Sequence, residues 1–282
     1  MQEIRKPVVA GQFYEEDPSI LKKQISFYLD NAKNLNLNEL FAIIVPHAGY
    51  IFSGKCAAQA YKQIQNLKEK PENIILIGPN HNTLTEIPFS LSIKDFETPL
   101  VIVKNNTKLG KEIIEKTKAE INEHSHLPEH CLEVQLPFLQ SILKKFSIVP
   151  ILVSSYDYEQ CVEFAKKLAK IIKSNPKTMI IISSDFTHYG PGYGFLPFPQ
   201  DSKFKENLYK LDKGIINHII NLDSKSFFQE AKNTTICGSM AITIVIEIAN
   251  ILRKKVKLID YYTSADIHPS NNAVGYASIL FS

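Results

Sequence analysis

What this 282-residue sequence lacks narrows its possibilities before any motif is read. It has four cysteines, Cys56, Cys131, Cys161 and Cys237, and no CxxC pair among them. So wide a spread in a chain of this length argues for reduced thiols in a cytoplasmic setting, not for a disulfide framework. No apolar run reaches the roughly 18 residues that a membrane span needs. The first residues, Met1-Gln2-Glu3-Ile4-Arg5-Lys6-Pro7, are not followed by the apolar stretch of a secretory signal. Neither sign of charge is in excess: 32 basic residues face 29 acidic ones, a net charge of +3 with no basic stripe. A nucleic-acid partner is therefore not expected, and the short run Arg253-Lys254-Lys255 reads as the solvated end of an element. Repeats, low-complexity tracts and linkers are also missing. Hydrophobic residues at 44% and charged residues at 22% describe an ordinary globular chain, and one domain over 1–282 is the simplest expectation.

What is there is an alternation of apolar runs and helical patterns. Phe41 to Val45, Ile74 to Ile77, Ile148 to Val153 and Met179 to Ile182 are apolar throughout, as strands covered on both faces are. Phe89 to Phe96 and Val101 to Val103 read as further strands, a hairpin joined through Pro99. Val256 to Thr263 and Ala273 to Phe281 close the chain. Helical periodicity marks Ala57 to Leu67, Leu109 to Ala119 behind a Thr107 cap, Tyr158 to Lys173, Phe204 to Ile220, Ser224 to Lys232 and Ser239 to Leu252. A further stripe covers Glu129 to Lys145, with Pro137 forcing a kink or a late start. Gly190 to Pro199 holds three glycines and three prolines and must be an irregular loop, read as a site rim. The fold class expected is α/β, a three-layer αβα sandwich around a mostly parallel or mixed sheet.

The chemistry gathers where strands end. In open α/β sheets ligands collect beyond the carboxyl ends of the strands. Three apolar strands run directly into polar clusters: Pro46-His47-Ala48-Gly49-Tyr50, Gly78-Pro79-Asn80-His81, and Ser183-Ser184-Asp185-Phe186-Thr187-His188-Tyr189-Gly190. A fourth cluster, Thr234-Thr235-Ile236-Cys237-Gly238-Ser239, precedes the most apolar helix. Singly, each residue has a plainer reading: a hydrogen-bonded loop histidine, a capping aspartate, a buried packing cysteine. Repetition raises the functional reading, because a sheet would draw these positions together into one metal-binding cleft.

These motifs, with Glu-His-Cys-Leu-Glu-Val-Gln-Leu-Pro-Phe (129–138), Ile-Cys-Gly (236–238) and the segment from Arg5-Lys6-Pro7 to Gly11-Gln12-Phe13-Tyr14, resemble the Memo family over essentially the whole chain. Such proteins are similar to the class III, LigB-type extradiol dioxygenases, which are non-haem iron enzymes of three-layer α/β fold. The resemblance implies that His47, His81 and Cys237 are metal ligands, and that Asp185 and His188 line the same pocket. It also implies AMMECR-type and radical-SAM proteins as partners.

The departure from the dioxygenase pattern is the third ligand. Two histidines and a carboxylate leave positions open on Fe(II), whereas here a cysteine stands for the carboxylate. The charge is the same but the thiolate is softer, which favours copper or zinc and counts against simple catechol cleavage. Two His and a Cys also describe a zinc site with an open position. His188 would serve as acid and base; Asp185 would orient His188 or a ligand imidazole, or bind the metal itself. The resulting expectation is an iron- or copper-dependent redox activity on an unidentified substrate. Its competitors are a peptide- or partner-binding scaffold with a relic metal site and, third, a zinc hydrolase.

Other residues carry weaker claims. Glu129, His130 and Glu133 could support the ligands or hold substrate, or could be a helix cap and surface cluster. His124 and His126 read as solvent-exposed, and His268 as a residue that could border the cleft. Tyr50, Tyr189 and Phe186 could shape a pocket, with Tyr50 and Tyr189 touching a ligand. Cys56, Cys131 and Cys161 read as core or surface thiols.

Overall fold

Strands with no polar face must be covered on both sides, and the computed structural model, which describes residues 3–282, is built that way. In chain order the strands are β1 (Ile4–Arg5), β2 (Ala42–Val45), β3 (Asn73–Pro79), β4 (Phe89–Leu91), β5 (Asp95–Glu97), β6 (Ile102–Val103), β7 (Ala119–Ile121), β8 (Ser147–Val153), β9 (Thr178–Ser183), β10 (His188–Tyr189), β11 (Val256–Thr263) and β12 (Ala273–Phe281). The helices are α1 (Pro18–Asp30), α2 (Tyr50–Asn66), α3 (Thr107–Lys116), α4 (Glu123–His126), α5 (Leu136–Ile142), α6 (Tyr158–Ser174), α7 (Phe204–Ile220), α8 (Ser224–Ala231), α9 (Ser239–Ile251) and α10 (Ser264–Ile267). The main sheet runs β10-β12-β2-β9-β3-β8-β4-β7, with β11 along β12. Its centre, β2-β9-β3-β8, is parallel, and β12 and β4 join it antiparallel on either side. The sheet is therefore mixed, and helices lie on both faces, the three-layer α/β arrangement that the alternation predicts.

Side chains alternate across each strand. Ile43, Val45, Ile74, Leu76, Met179 and Ile181 pack on one face against α1, α2 and α5. Ile44, Ile75, Ile77, Ile180 and Ile182 pack on the other against α3, α6, α7, α8 and α9. The parallel register pairs Val45 with Ser183 and Ile77 with Ile182, so the carboxyl ends of β2, β9 and β3 lie at one edge. His47 and Asp185 follow the first two strands directly, and His81 follows the third.

Several elements differ from the sequence reading. The 89–96 run is split: β4 joins the main sheet, while β5 and β6 form the Pro99 hairpin in a small separate sheet with β1. Helix α2 begins at Tyr50, seven residues before the expected start, and Gly54 inside it sits where a Cβ would lie 2.6 Å from Tyr28 Cε2. Asn106, not Thr107, caps α3 by accepting from Leu109 N. The 129–145 stripe starts late, as Pro137 requires: a 3-10 turn over Glu133–Gln135 leads into α5.

Candidate metal centre

Three imidazoles meet at the sheet edge. One ring nitrogen from each of His47, His81 and His130 lies within 4.8 Å of the other two. The His47 ring meets those of His81 and His130 edge-on, with centroids 5.2 and 5.5 Å away, and the His81 and His130 rings stack at 5.1 Å. Cys237, the residue before the Gly238 cap of α9, stands beside this group and lines a neighbouring pocket. Its Sγ lies 3.2 Å from His47 Nε2 and shares a hydrogen bond with the His81 ring. Close approach here depends on Gly238, whose missing Cβ would sit 2.4 Å from Ser184 Cβ.

The far sides of the rings are fixed, and that fixes which nitrogen faces inward. Ser183 has one hydroxyl proton, which goes to Cys131 O at 2.6 Å, and Gln135 Nε2 donates to Ser183 Oγ at 2.9 Å. In the remaining 3.0 Å contact the His47 Nδ1–H must therefore be the donor. His81 Nδ1 donates to Glu129 Oε1 at 2.9 Å. Both rings thus turn Nε2 towards Cys237, the arrangement by which a carboxylate or hydroxyl behind an imidazole orients a metal ligand.

Glu129 is almost fully buried and accepts the backbone N–H of His81 at 2.7 Å and those of His130 and Cys131 at 3.0 Å. A second donor group, His81, Glu129 and Cys131, is also compact. However, that carboxylate already spends its lone pairs on these N–H groups, so the three-imidazole spot is the better cradle.

Burial alone would push the Cys237 thiol up, but the His47 charge and the hydrogen bonds from His47 and His81 outweigh it and bring it down to about 5. Burial likewise opposes charge on His81, yet Cys237 and Glu129 together lift it to about 10. His47 is raised too, against its own desolvation, by Cys237 and Asp185. His130 has no such compensation: burial and the neighbouring His47 and His81 lower it to about 4, so its ring is neutral. Imidazolium and thiolate here occupy the places that a cation would take. Imidazole nitrogens with a thiolate sulfur are donors of the kind that hold a metal ion.

Asp185 and His188 reach the same cleft from the β9 end. Asp185 Oδ1 accepts from His47 N at 2.8 Å, and Oδ2 is 3.9 Å from His188 Nε2. Desolvation works against ionising Asp185, but His47 and His188 hold its carboxyl below the usual range. His188 is desolvated as well, and Asp185 and Cys237 still raise it. Its backbone is clamped by Thr235, whose Oγ1 accepts from His188 N at 2.7 Å and donates to His188 O at 2.8 Å. The ring stacks on Tyr193 at 5.0 Å. A cleft of about 500 Å³ opens above these groups, with His47, His81, His130, Asp185 and His188 in its lining and His268 at its border.

Sequence reasoning misplaced several residues. His130, read as a surface or supporting group, is the third imidazole; the signal was its place between Glu129 and Cys131 in one motif. Of the two readings open for Glu129 and Glu133, the surface cluster fails, since both are buried, while Glu129 does support the His81 ring. His126 is buried as well, with Nε2 2.9 Å from Ser90 O, while His124 is exposed as expected. Tyr50 and Tyr189 are packing residues whose hydroxyls bond Val134 O and Phe198 O, and Phe186 is in the core. Cys56, Cys131 and Cys161 are all buried.

A family model, Memo-like protein, matches residues 5–280. The chain belongs to the Memo family. Among curated Memo relatives it is 35% identical to a MEMO1 family protein of Pyrococcus abyssi, covering 98% of this chain and 99% of that one. It is 36% identical to a MEMO1 family protein of Nitrosopumilus maritimus and 35% identical to one of Aquifex aeolicus, with 99% of both chains covered in each case. The Memo chain also shares its fold with the crystal structure of uncharacterized protein JW3007 from Escherichia coli K12. The TM-score is 0.52 at 10% identity, covering 86% of this chain and all of that one. No helix among the described residues is long and apolar enough to cross a membrane.

Proposed function

We propose that this Memo-family chain is a metal-dependent redox protein. Its ion is held by His47, His81 and Cys237, with His130 as a further imidazole at the same spot, and it acts on a small molecule in the cleft above. What supports the reading is the compact His47, His81 and His130 group, with Cys237 Sγ 3.2 Å from His47 Nε2 and hydrogen-bonded to the His81 ring, and with the far-side nitrogens of His47 and His81 already engaged. A bound iron or copper would supply one-electron chemistry, and imidazole with thiolate suits copper best. Glu129 and Ser183 orient the ligand rings. Asp185 faces His188 beside the cleft, where the imidazole takes a proton from a substrate hydroxyl and later returns it. Asp185 keeps that imidazole charged between the two events, and Tyr193 stacked on the ring restricts its motion.

Metal analysis of untagged protein should find about one transition ion per chain at a site of this kind. Titration with Fe(II), copper or Zn(II) should release protons on binding, because His47 and His81 must lose theirs. His81→Ala should abolish tight uptake. Absence of uptake by the native chain, or unchanged uptake by the variant, would sink the proposal. Oxygen consumption in the metal-loaded protein, tested against the zinc form, separates redox work from hydrolysis.

A further inference from the structure

His188 is held less firmly than the rings of His47 and His81. Thr235 clamps its backbone, but Asp185 Oδ2 stands 3.9 Å from Nε2, beyond hydrogen-bond length, so the carboxylate does not fix how the ring is turned. What lies against the ring is Tyr193, with centroids 5.0 Å apart and planes inclined by 24°. Tyr193 ends a short 3-10 turn, Pro191–Tyr193, set between two glycines at positive φ, Gly190 at 125° and Gly194 at 65°. A turn so rich in glycine has much backbone freedom to lose, and the Tyr193 side chain is itself exposed. The stack persists only if something outside the turn holds it.

The opposite rim of the cleft supplies that hold. Asn272, the residue before β12, accepts the Gly192 N–H on its Oδ1 at 2.8 Å. A Cβ at Gly190 would lie 2.4 Å from the same oxygen, and one at Gly192 would lie 2.9 Å from it. Both glycines are therefore needed for the carboxamide to reach the turn. Gly190 and Phe195 exchange backbone hydrogen bonds at 2.8 and 3.3 Å, which close the base of the loop, and Gln200 Nε2 ties its far end to Asn271 O at 2.6 Å. His188 and Tyr189 pair with Val274 and Ala273 of β12. One short stretch of chain thus carries both the backbone of His188 and the anchor for the ring stacked upon it.

We infer that Asn272 is a positioning residue for His188 that acts through Tyr193. Its carboxamide oxygen holds the Pro191–Tyr193 turn, so that the tyrosine ring keeps the imidazole in one orientation at the cleft. The inference rests on the proposed role of His188 in proton transfer, which requires the ring to meet a substrate at a set angle.

The test is NMR on the full chain with Zn(II), a diamagnetic ion, added throughout. It compares the parent with Asn272→Ala, which removes the acceptor, and Asn272→Asp, which keeps an oxygen in its place. In the alanine variant the Gly192 amide should exchange with solvent about fivefold to tenfold faster, the effect of one lost hydrogen bond. The nuclear Overhauser contacts between the Tyr193 and His188 rings should vanish with it. The aspartate variant should keep those contacts and exchange within about twofold of the parent. A side chain that only filled space would leave the ring contacts intact in both. Ring contacts that survive in Asn272→Ala, or that are also lost in Asn272→Asp, would overturn the inference. Metal uptake judges the proposed function separately. A chain that binds no metal but shows this pattern keeps the clamp and loses the redox reading. A chain that binds metal, with ring contacts unaltered by Asn272→Ala, does the reverse.

Discussion

At the scale of one residue, the proposed metal site turns on Cys237, the one soft donor in its ligand set. Aspartate in its place would keep one negative charge but present a hard oxygen to the imidazoles in place of a polarisable sulfur. Cys237→Asp should therefore move selectivity from copper towards Fe(II) by about tenfold or more in the ratio of dissociation constants. Competitive titration with both metals measures it, and an unchanged ratio would remove Cys237 from the ligand set. This residue was legible in the sequence because it stands in an Ile-Cys-Gly cluster just before an apolar helix. His130 was not so readily seen. No strand end announces it, and it reaches the other imidazoles only because Glu129, one residue earlier, is tied to the His81 backbone and ring. His126 was misread for a similar reason: a polar stretch looks solvated until β4 supplies the Ser90 carbonyl for its ring.

At the scale of elements, the N-terminal segment and the turn over Glu133–Gln135 are locked by one buried ion pair. Arg5 Nη1 meets Glu133 Oε2 at 2.6 Å with both side chains nearly inaccessible, and Arg5 Nε donates to His126 O at 2.8 Å. Glu133 also accepts from Val8 N, Val9 N and the Tyr14 hydroxyl. Phe13, in the same segment, packs edge-on against the His130 ring at 4.9 Å. Arg5→Ala would leave the Glu133 carboxylate buried without its cation, a change that costs about 3–5 kcal/mol. Urea unfolding should show that loss, with weaker metal uptake accompanying it, and a loss below about 1 kcal/mol would mean that the pair does not hold the segment. The pair is invisible in sequence, since its members lie 128 residues apart. The same limit explains α2. Residues 50–56 carry Gly54 and no clear apolar stripe, so periodicity alone starts the helix too late, and only the Tyr28 ring shows why glycine is needed there.

At the scale of the whole molecule, the central strands, the layers and the common edge for His47, His81 and Asp185 followed from apolar runs and from where they stop, while the short strands β1, β7 and β10 did not. Those are properties of local sequence and of parallel-sheet geometry. What the alternation could not reveal is the balance of buried charge, and this governs how stability follows pH. His126 is pushed down to about 4 by burial and by Arg5, although Ser90 O opposes the shift. Its contribution is complete above the unfolded value of about 6.5 and is lost as pH falls towards 4. Asp212 has the opposite sign. Burial raises it to about 6 despite hydrogen bonds from Thr187 and the Tyr261 hydroxyl, so its contribution is present below about 4 and is lost as pH rises through 6.

Each shift corresponds to about 3 kcal/mol at most, and their windows overlap between pH 4 and 6, where the two slopes largely cancel. Asp212→Asn removes one of them. Relative to the parent chain, the variant should gain stability as pH rises from 4 to 7, because the parent must ionise a buried acid and the variant need not. His126→Asn should show the reverse difference over pH 6.5 to 4, since the parent loses a neutral buried imidazole that the variant never had. Thermal unfolding of parent and variants at pH 4.5, 5.5 and 7 reads these differences. A pH-independent difference for Asp212→Asn would mean that the acid is ionised throughout, and the opposing slope assigned to it would have to be abandoned.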